Sequence, residues 1–410
     1  MSAAAYALGF LVVYLSFSPS LLWSAKKPGH PIVLVPGDGG TQLEAKLINK
    51  PSVVHYLCEK HTDYWFTIWL NLELLVPYLI GCWADNIRLV YNETAGYSSD
   101  SPGVAIRTID WSNTSSVEWL DPSKVSTGHY FATLVNSAVS WGYRRGKQIR
   151  GAPFDFRKAP TDLGLDFMRK LKKLIEDTYY ENGNSQVVVV GHSMGNPLML
   201  YFYNQQSQDW KDKFVRSHVS ICGPFGGSIK MLKVLASGYN FDHYSIVLPP
   251  LKIRAMQRSL TSSAFLMPSD KFWGHDEVLV STEHRNYTSN DYKQFFEDIN
   301  FPIGWKMYQR FGKLIYDLTP PGVEVHCLYG TNISTPGAFK YGKGQFPDTQ
   351  PEEVFVDGDG TVTVRSALGC TRWRDQQKQP VHTRAFARQE HLDILKSADL
   401  MNYIKQVVYS

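Results

Sequence analysis

The stretch Gln186-Val187-Val188-Val189-Val190-Gly191-His192-Ser193-Met194-Gly195-Asn196-Pro197 constrains this chain more than any other. Four consecutive valines read as a strand buried on both faces, the kind found inside a parallel sheet. The G-x-S-x-G that follows at once, with the apolar-rich run Leu198 to Tyr203 behind it, reads as a strand turning directly into a helix. Such a turn strains its central residue, and only glycine at the flanking positions lets strand and helix approach so closely. Ser193 is therefore the candidate nucleophile, carried at the carboxyl end of a doubly wound, mostly parallel α/β sheet.

A serine hydroxyl is a weak nucleophile, so this reading requires a histidine base and an orienting carboxylate later in the chain, in the order Ser, Asp, His. Asp359 lies in the turn-forming run Val356-Asp357-Gly358-Asp359-Gly360-Thr361-Val362. It is preferred to Asp357 because it stands immediately before Gly-x-Val. An Asx-Gly turn or a calcium loop competes, but the loop is too short for an EF-hand. His391 follows the alternating segment Val381 to Ala387 and opens the amphipathic run Leu392 to Val408. That junction of a last strand and a last helix suits a base; His382, within the strand, is the rival. His192, inside the elbow, reads as a packing residue.

An oxyanion needs two backbone N–H donors. Met194, directly after the nucleophile, supplies one, and Asp38, in the glycine-rich turn after Pro31 to Pro36, is the candidate for the other. That turn has neither of the glycine spacings that cradle phosphate.

With 410 residues the chain is long enough for a large core with insertions, and 42 basic against 38 acidic side chains leave a net charge of only +4. No dense basic stripe marks it for nucleic acid. Protonating its 12 histidines would raise the charge to +16, which favours a pH-dependent attraction to anionic lipid surfaces. Residues 3 to 17 are apolar and uncharged, and residues 1 to 25 read as a secretory signal peptide, with an uncleaved anchor as the rival. Sequons at Asn92, Asn113, Asn286 and Asn332 agree with that route. In an oxidising compartment, Cys58, Cys82, Cys222, Cys327 and Cys370 imply two disulfides and one spare thiol, whose connectivity spacing alone leaves open. No spacing of a metal site occurs.

The apolar stretch Tyr64 to Trp83 reads as a helix with Trp65, Ile68, Trp69, Leu72, Val76, Leu79 and Trp83 along one stripe. Asn71, Glu73 and Pro77 make a bilayer span a poor reading. Core packing and insertion at a membrane interface are the two alternatives.

Taken together, the residues resemble the lecithin:cholesterol acyltransferase group of α/β-hydrolases, and within it the lysosomal phospholipase branch. The resemblance runs from about Pro31 to Val408. It rests on Gln42-Leu43-Glu44-Ala45-Lys46-Leu47, Phe66-Thr67-Ile68-Trp69-Leu70, Cys82-Trp83, Asp85-Asn86-Ile87-Arg88-Leu89-Val90-Tyr91-Asn92, Asp121-Pro122-Ser123-Lys124, the elbow, and Trp210-Lys211-Asp212-Lys213. Departures occur at Gly39 and Thr41 and in Cys222-Gly223-Pro224-Phe225-Gly226-Gly227, all around the acyl pocket.

The resemblance implies an α/β-hydrolase core (26–54, 91–227 and 319–410), a membrane-binding insertion (55–90) and a lid or cap (228–318). It implies Ser193, Asp359 and His391 as the triad, Asp38 and Met194 as oxyanion donors, and disulfides Cys58–Cys82 and Cys327–Cys370. It shifts Trp65, Phe66, Trp69 and Leu70 toward membrane contact. Lys252, Arg254 and Arg258 become candidates for lipid phosphate. The implied activity removes a fatty acyl chain from a glycerophospholipid and transfers it to water or a ceramide-like lipid alcohol, without metal or organic cofactor. The expected partner is an anionic phospholipid surface, the expected state a monomer and the expected place the lysosome, with secretion as the alternative. A sterol acyltransferase, a neutral-lipid esterase and a non-catalytic lipid-binding module are the competing functions.

Overall fold

The computed structural model describes residues 27–124, 128–240 and 249–410. The predicted signal peptide lies outside the described residues.

Six parallel strands form the central sheet: β1 (Ile32–Val35), β2 (Ile149–Gly151), β3 (Val187–His192), β4 (Val215–Ile221), β5 (Val325–Thr331) and β6 (Val381–Ala387), in the order β6-β5-β4-β3-β1-β2. Every residue of β1 and of β3 is buried, as the unbroken apolar runs require of strands covered on both faces. Each fully buried valine contributes about 1.5–3 kcal/mol. The doubly wound parallel architecture is thus the one expected.

Helix α1 (Gly164–Glu181) joins β2 to β3 and buries Leu171, Leu174, Ile175 and Thr178, the spacing of one helical face. Helix α2 (Gly195–Asn204) leaves the elbow and is buried almost throughout.

Between β4 and β5 the chain inserts a long excursion containing α3 (Lys230–Ser237) and α4 (Pro250–Ser259). A second sheet is formed by Val280–Ser281, Asn286–Tyr287, Ile333–Lys340 and Glu352–Gly358. This sheet covers an aromatic cluster that includes Trp273, Tyr287, Phe295, Phe296 and Phe339. Two strands of this sheet come from 319–410, so the sheet is not confined to the 228–318 expected for a lid or cap. The reason is topological: the strands that complete it lie in the excursion between β5 and β6, which no local signal separates from the core. After β6 the chain closes with helix α5 (Ala398–Val408), capped by Ser397, whose hydroxyl accepts from the Leu400 amide.

The stretch Tyr64 to Trp83 is not one helix. Phe66–Trp69 is a strand paired with Leu43–Leu47, a 3₁₀ turn follows at Leu72–Leu75, and a helix forms only at Ile80–Ile87. Asn71 caps the short turn by accepting from the Glu73 amide, and Pro77 cannot continue a helix begun before it. Cys58–Cys82 and Cys327–Cys370 are both joined, with Cα separations of 5.3 and 6.6 Å, and Cys222 is free and buried. All four sequon asparagines are exposed. No helix among the described residues is long and apolar enough to cross a membrane.

Candidate active site

At the end of β3 the backbone of Ser193 enters the left-handed region, with φ of +51°. The neighbouring glycines are dictated by contact. A Cβ on Gly195 would lie 2.4 Å from the Pro36 carbonyl oxygen, and one on Gly191 would lie 2.3 Å from Asn196 Oδ1. This packing lifts the Ser193 hydroxyl clear of the sheet, as the sequence predicts.

His391 reaches that hydroxyl from the loop beyond β6. Its Nε2 stands 2.9 Å from Ser193 Oγ, and its Nδ1 stands 2.8 Å from Asp359 Oδ2. Asp359 Oδ1 accepts from the amides of Thr361 (3.0 Å) and Val362 (2.7 Å), while the His391 amide donates to the Asp359 carbonyl at 2.9 Å. All three side chains are buried. Burial pushes the Asp359 carboxyl up, but the charge and hydrogen bond of His391 and the two amides outweigh it, holding it below the ordinary range. Of the rivals, Asp357 accepts from the Asn332 amide on the surface, and His382 pairs with Glu324 on the edge strand. Neither joins Ser193.

His192, read only as a packing residue, is bonded into this arrangement together with Tyr130. Tyr130 accepts from the Gly37 amide and bonds His192 Nδ1, while His192 Nε2 donates to the His391 carbonyl at 2.9 Å. One buried chain of hydrogen bonds thus links the Asp38 turn, the elbow and the His391 loop. Burial, then the nearby His391, pushes His192 down to about 3, so it stays neutral. The Cys222 thiol is held well above its usual range, first by burial and then by Asp359, and remains protonated. His192, Cys222 and His391 bring three ligand-type atoms within 4.8 Å of one another. The ring nitrogens of His192 and His391 are both taken up by the hydrogen bonds just described.

Asp38 sits in the turn Gly37 to Gly40, beside Ser193 on the same cavity wall. Asp38 is the exposed residue of that turn, but protein atoms crowd its carboxyl and thin its hydration. This desolvation pushes the carboxyl up to about 6, against the opposing effects of the Gly39 amide and His391. Met194 caps α2, so its amide belongs to the first-turn donors that the helix itself leaves unsatisfied.

The cavity is walled mainly by apolar side chains, among them Phe156, Met231, Val234, Met256 and Leu260. Trp69 also lines it, and the Trp69 indole N–H donates to the Gly39 carbonyl at 2.7 Å. Trp69 and Leu70 are buried, and Trp65 and Phe66 are half-buried, with the Arg107 guanidinium 4.1 Å over the Trp65 ring. The expectation that Trp69 and Leu70 face a membrane is therefore corrected: Trp69 ends the strand and Leu70 follows it, and both side chains are buried in the protein. Exposed apolar side chains instead flank Cys58 and Cys82, namely Val54, Tyr56, Leu57, Val76 and Tyr78. Arg254 is paired with Asp348, and Arg258 is spent on the carbonyls of Leu235, Ala236 and Ile299, which leaves Lys252 as the exposed member of that basic trio.

Comparison with known proteins agrees with this geometry. The family profile of lecithin:cholesterol acyltransferase matches residues 64–398. The lysosomal phospholipase A and acyltransferase of Bos taurus is 50% identical over 378 residues, covering 92% of this chain and 91% of that protein. Its Homo sapiens counterpart is also 50% identical, covering 92% and 90%. The phosphatidylcholine-sterol acyltransferase of Gallus gallus is 43% identical over 369 residues, covering 90% and 87%. Among solved structures, a chain of the Tle4–Tli4 complex superposes with a TM-score of 0.54 at 12% identity, covering 92% of this chain and 98% of its own, a likeness of fold alone. A nucleophile elbow on a parallel sheet, inside a sequence this close to those enzymes, leaves one conclusion: the chain belongs to the lecithin:cholesterol acyltransferase family.

Proposed function

We propose that this chain is a serine phospholipase A and O-acyltransferase of the lysosome, forming an acyl-enzyme on Ser193. The carrying observation is the continuous bonding of Ser193 Oγ to His391 Nε2 and of His391 Nδ1 to Asp359, at the wall of an apolar cavity. Ser193 Oγ attacks the ester carbonyl as His391 Nε2 takes its proton. The amides of Asp38 and Met194 receive the negative oxygen, and Asp359 stabilises the imidazolium. His391 then protonates the departing lysophospholipid oxygen. In the second half the same imidazole deprotonates water or a lipid alcohol, which attacks the acyl-serine and releases a fatty acid or a new ester.

The relatives named as lysosomal phospholipase A and acyltransferase support this reaction class and this compartment. Exposed Tyr56 and Tyr78, beside the Cys58–Cys82 bridge, support contact with a lipid surface there. The exposed sequons support glycosylation at Asn92, Asn113, Asn286 and Asn332. The test is product chromatography from mixed phospholipid, ceramide and sterol vesicles with the wild type and Ser193→Ala. Fatty acid and acylated alcohol should form with the wild type only. Full activity in a folded Ser193→Ala protein refutes the assignment, and acylated sterol as the main product replaces the acceptor.

A further inference from the structure

At the end of the central sheet opposite Ser193, Glu324, His326 and His382 form a cluster that the acyl-transfer chemistry does not use. His326 and His382 are each the second residue of their strands and lie in register across the β5–β6 pair. Glu324, two residues before His326, projects on the same side of the sheet. Glu324 Oε1 lies 3.3 Å from His326 Nε2 and 3.2 Å from His382 Nε2, and the three ligand-type atoms lie within 4.8 Å of one another.

We propose that these residues bind a divalent transition metal, with Zn²⁺ as the reference ion. A tetrahedral ion with bonds of about 2.0–2.1 Å spaces its ligands about 3.3 Å apart, which two of the three separations already match. The rings of His326 and His382 are stacked, with centroids 4.7 Å apart and planes 18° from parallel. Binding thus requires one ring to swing, and His382, with 47% of its side chain exposed, is free to do so.

The surroundings are those of a metal site rather than of an isolated ion pair. His326 Nδ1 is held 2.9 Å from the Tyr403 hydroxyl on α5, which leaves Nε2 facing the ion position. A hydroxyl can accept from Nδ1–H when the metal is bound and donate to bare Nδ1 when it is not, so one contact serves both states. Arg216 holds the other oxygen of Glu324 at 2.7 Å, so the carboxylate offers Oε1 alone. With Arg216 compensating the carboxylate charge, binding depends on imidazole nitrogen more than on charge, which selects Zn²⁺ or Cu²⁺ over Ca²⁺ or Mg²⁺. Water completes the coordination. The ion ties edge strand β6 to β5, and β6 leads into the loop that carries His391.

The experiment uses the full chain, stripped with chelator, at pH near 7.5, where protons do not displace the ion. Zn²⁺ is titrated by calorimetry, Co²⁺ by its visible absorption, and thermal midpoints are recorded with and without Zn²⁺. Because His391 sits in a second cluster of ligand-type atoms, His391→Ala is measured in parallel. One ion should bind wild type and His391→Ala alike and raise both midpoints. Affinity should fall by about 10–100-fold in Tyr403→Phe and be lost in His382→Ala and Glu324→Gln, whose metal-free midpoints report their folding. No binding to the wild type, binding retained in a folded His382→Ala, or binding lost in His391→Ala would each overturn the proposal.

Discussion

Replacing Asp359 by Asn exchanges one oxygen for an amide nitrogen and should cost about four orders of magnitude in turnover. The structure supplies the reason. Asp359 Oδ1 accepts from the Thr361 and Val362 amides, so the carboxamide of Asn must place its oxygen there and turn its NH₂ toward His391 Nδ1. Facing a donor, Nδ1 must accept. The imidazole proton then sits on Nε2, which points at Ser193 Oγ and can no longer receive the serine proton. With Asp359 only 2% exposed, no solvent competes to restore the other tautomer. A 10⁴-fold loss corresponds to about 5.4 kcal/mol at about 1.36 kcal/mol per tenfold. Stability should barely change, because the two amides keep their acceptor. Asp359→Ala leaves them both unpaired, at about 1–3 kcal/mol each, and should melt clearly lower. Single-turnover acylation by a fluorogenic ester, fluorophosphonate labelling and thermal melts test this. An Asn variant that labels within about tenfold of the wild-type rate while melting normally would refute the tautomer argument.

Trp69→Phe removes the donor to the buried Gly39 carbonyl and should lower kcat by about tenfold while leaving KM near its wild-type value, since the lost bond anchors the turn proposed to supply an oxyanion donor. A rise in KM alone would show that Trp69 only lines the cavity. Asp38, pushed up to about 6, is neutral below that pH and carries a negative charge on the same cavity wall as Ser193 above it. Activity should therefore fall as pH rises through about 6, and Asp38→Asn should abolish that fall. A pH–rate profile of the Asn variant that keeps it would exclude Asp38 as its cause. Tyr56→Ser combined with Tyr78→Ser should reduce sedimentation with anionic vesicles without changing turnover of a soluble ester, because both side chains are exposed and distant in sequence from the catalytic residues. Equal loss in both assays would mean that the two tyrosines act on the fold rather than on the surface.

Ser193, Asp359 and His391 were legible in the sequence because each announces itself within a few residues. The elbow is a strand, two glycines and a helix; Asp359 is a turn before Gly-x-Val; His391 marks a strand-to-helix junction. The parallel sheet was equally legible, since β3 is apolar at four consecutive positions and strands buried on both faces show no alternation. Family resemblance added the disulfide pairing, which spacing alone does not determine.

What the sequence did not contain was the partner of each residue. The aromatic run Tyr64 to Trp83 fits a helical stripe as well as a strand and a turn. Pairing of Phe66–Trp69 with Leu43–Leu47 decided the matter and turned Trp69 inward against Gly39. His192, Tyr130 and the Asp38 turn share one hydrogen-bond chain although residues 130 and 192 are 62 positions apart. Likewise, His391 meets a serine 198 positions away. Local chemistry settles which backbone shapes and residue types a segment supplies, because those depend on neighbours a few bonds distant. Contacts across such separations follow from strand order and from which faces must be buried, so only the tertiary structure decided them.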